Sequence, residues 1–435
     1  MSGLRAMLPE QSDVLVIGGG PAGSCAATVL ARRGYDVALV DKAHHPRETV
    51  GESVLPAAWK YFDMLGVADE VGRRFVKKAG GVVAWGDEIT QIAFRDFAYD
   101  RPGLHVERAE LDELLLRNAA AAGVRVCEGV RAASLVGGGA AVAGAMAGAV
   151  LVADGETRRH RCRHVIDATG QASLAARQFG GRRLDADFRF VALWGYFADS
   201  RYVSAGGVVR PFAELAAHPP MTFVTRLGGW GWSWHIPMRR VTSVGIVVPV
   251  ADYRRDASGH ASLEEYFLAT CRAAPGLARL IAEARLVDGG VRVLRDFSYL
   301  AETVAGPGFL VIGDAAGFVD PIFSIGVVMA LYSGQLAAWT IERALRNPAA
   351  AEAARRLFAH QMRGRYELAR TMALPGRGDG KAAAAAYFDF FSRSEKELMW
   401  SAASMTTRSA NLVRASAGAG APPLKRRRLA ELQFG

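Results

Sequence analysis

Asp13-Val14-Leu15-Val16-Ile17-Gly18-Gly19-Gly20-Pro21-Ala22-Gly23 is the stretch whose reading decides the fold. After Asp13 the residues up to Ile17 are all apolar and read as a buried strand. Ser24 to Arg33 read as a helix, and Val37-Ala38-Leu39-Val40 as a second strand that ends in the acid Asp41. Gly18, Gly20 and Gly23 therefore fill G-x-G-x-x-G between a strand and a helix, the context that gives this motif meaning. The first glycine permits the tight turn, the second lets a pyrophosphate approach the backbone, and the third lets helix and strand pack closely. Free N–H groups at the helix start attract phosphate, and Asp41 sits where an acid accepts a ribose hydroxyl.

At 435 residues the chain is long enough for two interleaved domains and an appendage. Its 51% hydrophobic and 22% charged residues mark a globular protein. The four cysteines (Cys25, Cys127, Cys162, Cys271) show no C-x-x-C pairing, which points to a reduced cytoplasmic protein without a metal knuckle. No basic-then-apolar leader opens the sequence, which argues against secretion. The run from Gly137 to Ala153 is shorter than the roughly 18 residues that a membrane span needs, and reads as a loose strand and loop. The net charge of +10 favours acidic partners. Nucleic acid is not expected, because only Lys425-Arg426-Arg427-Arg428 forms a basic run, and it reads as a solvated cluster in a mobile tail.

Further along, Glu110 to Leu116 has helical periodicity, Gly123 caps it, and Val124-Arg125-Val126 resumes a strand. Asp154-Gly155 reads as a hairpin turn, and His164 to Gly170 closes that meander. Segments 76–100 and about 186–295 are rich in β-type and aromatic residues, and read as a sheet inserted twice into the nucleotide-binding domain. Phe309-Leu310-Val311-Ile312 is a buried strand running into Gly313-Asp314, and a long helix follows from about Ile325 to Leu345. The last ninety residues read as helical up to a linker at Gly418–Pro423.

Gly18-x-Gly20-x-x-Gly23, Asp167-Ala168-Thr169-Gly170 and Gly313-Asp314, in that order, resemble the FAD-dependent aromatic monooxygenase fold. Four further segments narrow the resemblance to the flavin-dependent halogenases. Val50-Gly51-Glu52-Ser53-Val54-Leu55-Pro56 is similar to a loop that lies against the flavin, and Phe75 to Gly80 matches F-x-x-K-x-G. Trp232-Ser233-Trp234-His235-Ile236-Pro237 matches W-x-W-x-I-P, and Asp320 to Val327 resembles D-P-x-F-S-S-G-V. The implied fold class is α/β: a Rossmann-like FAD-binding domain of the glutathione-reductase/p-hydroxybenzoate-hydroxylase type. Its segments are 1–75, 105–185 and 296–345. The inserted β-sheet substrate domain takes 76–104 and 186–295, and 346–435 form a C-terminal helical region with a basic tail.

The resemblance implies a site residue by residue. FAD contacts fall on Gly18, Gly20, Pro21, Ala22, Gly23, Asp41, Lys42, Ser53, Val130, Pro321, Gly326 and Val327. Arg47 and Arg108 bridge the phosphates and the flavin edge, and Asp314 meets a ribityl hydroxyl. In the family, reduced FAD and dioxygen give a hydroperoxide, chloride or bromide attacks it, and the hypohalous acid travels along a tunnel to a lysine. Here that lysine is Lys78. A lysine suits this work because its amine is a compact, mobile donor, and burial favours its neutral nucleophilic form. Lys77 lies on the opposite side of the same β-like segment. Trp232, Trp234, Ile236 and Pro237 line the tunnel. Ser324, Ile325 and Gly326 form the halide site through backbone N–H groups at the start of the long helix. Ile325 departs from the family's hydroxyl residue. Phe323 stands where tryptophan halogenases carry a glutamate, which points to the phenol and pyrrole branch and to a substrate held on a carrier protein.

No second dinucleotide fingerprint occurs, so the implied electron source is a separate flavin reductase. No metal and no membrane are implied. Neither His105, His218 nor His235 has a spacing that marks it as a base. Two other readings compete with halogenation in specialised-metabolite biosynthesis: an FAD monooxygenase or oxidase that ignores halide, which Ile325 favours, and a flavin-binding scaffold without catalysis, which would not need Lys78 or the tryptophan motif.

Overall fold

The computed structural model describes residues 8–85, 88–137, 147–228, 231–287, 289–373, 425–429 and 432–434. The strand Gln11–Ile17 lies at the centre of an eight-stranded sheet. On one side it pairs in parallel with Val37–Asp41, which pairs with Arg125–Glu128. On the other it pairs in parallel with Glu156–Asp167, which pairs with Phe309–Val311. The strand order therefore reverses beside the first strand, and the crevice at the carboxyl ends of Ile17 and Asp167 is a topological switch point, the place where α/β sheets hold ligands. A meander of Arg131–Val136, Ala147–Ala153 and Glu156–Asp167 extends the sheet. Its hairpin turns at Asp154 and Gly155, both at positive φ, the geometry that a two-residue turn of primed type requires.

The sequence explains the tightness of that crevice. Gly18 has φ +114°, and a Cβ there would lie 2.2 Å from the Ala168 carbonyl oxygen. A Cβ on Gly23 would lie 1.9 Å from the Gly18 carbonyl oxygen. Only glycines let the turn and helix approach so closely. The helix Pro21–Arg32 then packs against the long helix Gly326–Arg346, where Gly334 comes so close to Ala22 that a Cβ would meet its carbonyl at 2.5 Å. That contact brings the two helix starts to the same crevice.

A nine-stranded sheet forms the second layer. Phe190–Ala198, Thr242–Pro249, Trp232–Pro237 and Met221–Arg226 run antiparallel to their neighbours, and Met221–Arg226 joins Gly80–Trp85 in parallel. Between the two large sheets, Ser53–Val54, Gly103–His105 and Val76–Lys78 make a small antiparallel sheet.

One expectation changes. The basic run Lys425–Arg428 is a strand, paired antiparallel with Glu88–Ala93 at the sheet edge. Backbone pairing along an open edge outweighs the preference of a charge run for solvent. The C-terminal region begins as the helix Ala351–Ala373. The expected helix beyond it and the linker at Gly418–Pro423 lie outside the described residues. No described helix is long and apolar enough to cross a membrane.

Candidate functional site

One cavity of about 650 Å³ runs from the glycine turn to the wall of the nine-stranded sheet. At the turn end, Gly20, Pro21 and Ala22 line it. The helix that starts there has no side-chain cap, so its first N–H groups remain available to an anion. Asp41 accepts hydrogen bonds from the Gly19 and Ala43 N–H groups (2.7 and 2.9 Å), which fix its carboxylate at the end of its strand and leave lone pairs for a further donor. Lys42 and Val130 also face this end. Gly23, expected among the contacts, does not line the cavity. Its place is taken up by packing on Gly18.

Arg108 and Arg47 share Asp112 as a partner. Arg108 donates to both oxygens of Asp112, one helical turn on, at 2.9 and 3.1 Å, and to the Val50 carbonyl at 2.7 Å. Arg47 sits 3.7 Å from Asp112 and 4.0 Å from Asp41. Asp112 is fully buried, and the sequence reading missed it. Its spacing of four from Arg108 on a helix was the available signal. Burial raises the Asp314 carboxyl to about 6 against the pull of Arg108, and this side chain lines the cavity between the two ends.

The long helix contributes its start. Asp320 accepts from the Ile322 N–H (2.9 Å), Ser324 turns at φ +57°, and Gly326 opens the helix without a side-chain cap. Pro321, Ser324, Gly326 and Val327 line the cavity, whereas Ile325 does not. The Ile325 side chain therefore does not cover the turn, but of its expected backbone donors the Ser324 N–H is already spent on the Pro321 carbonyl at 3.0 Å. Burial pushes Asp320 up to about 7, and its carboxyl also bonds Trp232, so it ties this turn to the opposite wall.

That wall carries Trp232, Trp234 and Ile236, all lining the cavity, while Pro237 does not. The alternation of the strand puts the two indoles on one face, with ring centroids 5.8 Å apart. Trp234 lies over Gly245 of the next strand, where a Cβ would fall 2.1 Å from its ring, and its Nε1 donates to the Ser243 hydroxyl at 3.1 Å. Glu52, beside this wall, is buried, accepts from the Tyr196 hydroxyl at 2.9 Å, and has its carboxyl raised by burial.

Lys78 is 3% exposed while Lys77 is exposed, as alternation along Val76–Lys78 dictates. Its Nζ donates to the Ser53 hydroxyl at 2.6 Å and lies 5.3 Å from the Phe94 ring centre. Burial lowers the amine to about 7, close to even division between charged and neutral forms at neutral pH. Lys78 does not itself line the cavity. Ser53 does, so the amine stands one hydroxyl behind the wall. His235 is buried and held to about 3 by desolvation, with its Nε2 2.6 Å from the Ser200 hydroxyl, away from the cavity lining. His218 lies at the surface.

A fold with a nucleotide crevice at a strand switch point, two uncapped helix starts and paired arginines defines a flavoprotein of the FAD-binding class, and the family described as an FAD binding domain matches residues 11–362. The "Tryptophan 2-halogenase" of Chondromyces crocatus is 36% identical over 340 residues, covering 77% of this chain and 62% of that protein. The flavin-dependent halogenase armH3 of Armillaria mellea is 33% identical over 360 residues, covering 79% and 69%. The solved structure of the myxobacterial chondrochloren halogenase CndH superposes with a TM-score of 0.75 at 28% identity, covering 91% of this chain and 98% of that one. The chain belongs to the flavin-dependent halogenases of the FAD-binding family. It spans less than two thirds of the length of the Chondromyces relative.

The residues present fit FAD. A Cβ on Gly20 would meet nothing closer than the Arg47 guanidinium at 3.5 Å, so the backbone there is open to a phosphate. Asp41 would take a ribose hydroxyl, and Asp314 lines the same cavity. Gly326 and Val327 would face the ring system across the cavity from the tryptophan wall.

Proposed function

We propose that this protein is a halogenase that installs chlorine or bromine on an electron-rich aromatic ring of the phenol or pyrrole type in specialised-metabolite biosynthesis. The observation that carries the reading is Lys78: a buried amine, lowered to about 7, one hydroxyl removed from a cavity that also holds the FAD-binding groups. Bound reduced flavin supplies, with dioxygen, the two-electron oxidation of halide. The N–H groups at Ile325 and Gly326 hold the anion beside it, because a helix start favours negative charge and the Ser324 N–H is already taken by the Pro321 carbonyl. Trp232 and Trp234 keep a bulky ring away from the flavin end. Lys78 receives the hypohalous acid and presents the halogen to the ring.

The reduced flavin comes from a separate flavin reductase, and the ring is carried on an acyl or peptidyl carrier protein whose acidic surface suits a chain of net charge +10. The reaction is cytoplasmic. An indole is the second candidate ring, favoured by the 36% identity to a protein named Tryptophan 2-halogenase. Incubation with reduced FAD, oxygen, bromide and a small phenol reporter tests the proposal. Brominated reporter that forms with the wild type and is lost in Lys78→Ala supports it. An oxygenated product indifferent to halide refutes it and supports a monooxygenase.

A further inference from the structure

Behind the cavity wall, four side chains join into one hydrogen-bonded line. Lys78 Nζ lies 2.6 Å from Ser53 Oγ, Ser53 Oγ 3.2 Å from Thr222 Oγ1, Thr222 Oγ1 2.8 Å from His105 Nε2, and His105 Nδ1 2.8 Å from the Pro237 carbonyl oxygen. All four side chains belong to buried residues. They come from four strands distant in sequence. Ser53, His105 and Lys78 share the small sheet, while Thr222 stands on the nine-stranded sheet.

The far end fixes the direction of every bond. A carbonyl oxygen only accepts, so His105 Nδ1 carries a proton and donates to Pro237. Desolvation, with Lys78 nearby, holds the His105 ring well below its ordinary pKa and therefore neutral. Its Nε2 is then a bare acceptor, and the Thr222 hydroxyl donates to it. With its hydrogen committed, Thr222 offers only lone pairs to Ser53, so Ser53 donates to Thr222 and presents an oxygen lone pair to Lys78.

The consequence falls on the amine. A neutral amine has two N–H bonds and one lone pair. A hydroxyl free to rotate would donate to that lone pair and mask it. A hydroxyl locked as an acceptor takes an N–H instead and leaves the lone pair uncovered. We propose that Thr222 and His105 are positioning residues for Lys78: they lock Ser53 as an acceptor, so the amine lone pair stays free for an electrophile arriving through the cavity.

This rests on the reading of Lys78 as the amine that takes up the oxidised halogen. In that step the nitrogen lone pair forms an N–halogen bond, the halogen–oxygen bond of hypohalous acid breaks, and the departing hydroxide leaves with an amine proton as water. The halogen keeps its oxidation level. Ser53 and Thr222 line the cavity, so an electrophile in it meets these two hydroxyls before it reaches the amine.

Cyanate tests the lone pair without flavin or turnover. The neutral amine adds to isocyanic acid to give a stable carbamyl-lysine, read after digestion by tandem mass spectrometry of the peptide that holds both lysines. Lys77, exposed and adjacent, is the internal reference. The Lys78 to Lys77 rate ratio is followed to its plateau at high pH, where the falling isocyanic acid cancels and amine ionisation no longer contributes. Thr222→Val keeps the shape and removes the hydroxyl. Thr222→Ser restores it. The expected result is a plateau ratio of Lys78 to Lys77 that falls about tenfold in Thr222→Val, the equivalent of one hydrogen bond, and returns to the wild-type value in Thr222→Ser. An unchanged ratio in Thr222→Val, or a Thr222→Ser as slow as Thr222→Val, overturns the proposal. In the wild type, nitrogen-15 shifts showing His105 protonated on Nδ1 and bare on Nε2 support it, and the opposite tautomer overturns it. Bromination of the phenol reporter separates the two readings. A lower kcat at unchanged KM in Thr222→Val supports both. No bromination by the wild type, with the carbamylation ranking intact, refutes the halogenase reading alone.

Discussion

Lys78 should be a burden on stability in addition to the role in the chemistry proposed for it. Its amine falls from 10.5 to about 7 through burial. At ~1.36 kcal/mol per unit this is about 5 kcal/mol of unfavourable free energy, an upper figure, present wherever both folded and unfolded chains hold the proton. The sign follows from proton counting: between pH 7 and 10.5 the unfolded chain binds the extra proton, so stability rises with pH across that window. The penalty is full below about 7 and is gone above the unfolded value. Lys78→Met has nearly the same length and no charge. It leaves Ser53 without its donor, at a cost of about 1–2 kcal/mol, so the variant should gain about 3 kcal/mol at pH 6.5. For a chain of this length one kcal/mol moves the midpoint by about 1 °C. Thermal unfolding of both proteins between pH 6.5 and 10 should therefore show the variant about 3 °C higher at the acid end, converging with the wild type toward pH 10, while halogenation is lost. A variant that is less stable at pH 6.5, or a gap that does not close with pH, refutes the burial argument.

Other outcomes follow from single contacts. Gly245→Val should displace the Trp234 ring, which lies 2.1 Å from the position of the new Cβ. Overpacking of this kind costs about 1–3 kcal/mol, and the reporter's KM should change while flavin fluorescence titration gives an unaltered Kd. Gly18→Ala should yield protein without flavin, because φ +114° and the Ala168 carbonyl at 2.2 Å forbid the side chain; the absorbance ratio of flavin to protein in purified material reads this directly. The log of kcat against pH should rise through about 7 as Lys78 loses its proton, and a profile flat between pH 6 and 8 with chemistry limiting would count against that amine. Deleting residues 425–435 should uncover the edge of Glu88–Ala93 and promote association, seen as larger species in light scattering with flavin affinity retained.

Much of the scaffold could be read because its signals are local. A strand, three spaced glycines, a helix and Asp41 within thirty residues specify the crevice, since each glycine answers to a contact a few residues away or to the adjoining strand end. The tryptophan motif was equally legible: alternation alone puts Trp232 and Trp234 on one face. The basic tail misled for the same reason. Lys425–Arg428 carries no local sign of the open edge it fills, and charge pattern is silent about a vacancy at residues 88–93.

The sequence by itself determined the nucleotide-binding topology, the side of its strand on which Lys78 projects, and the family to which the motifs point. Only the tertiary structure decided what surrounds that amine. Ser53, His105 and Thr222 lie far from Lys78 along the chain, and their hydrogen-bonded line exists because two sheets meet there. The same holds for Asp320 against Trp232, and for Gly245 beneath Trp234. Periodicity fixes the face on which a side chain stands. The partner on that face, and with it desolvation and the direction of a hydrogen bond, is set by which distant strands pack together.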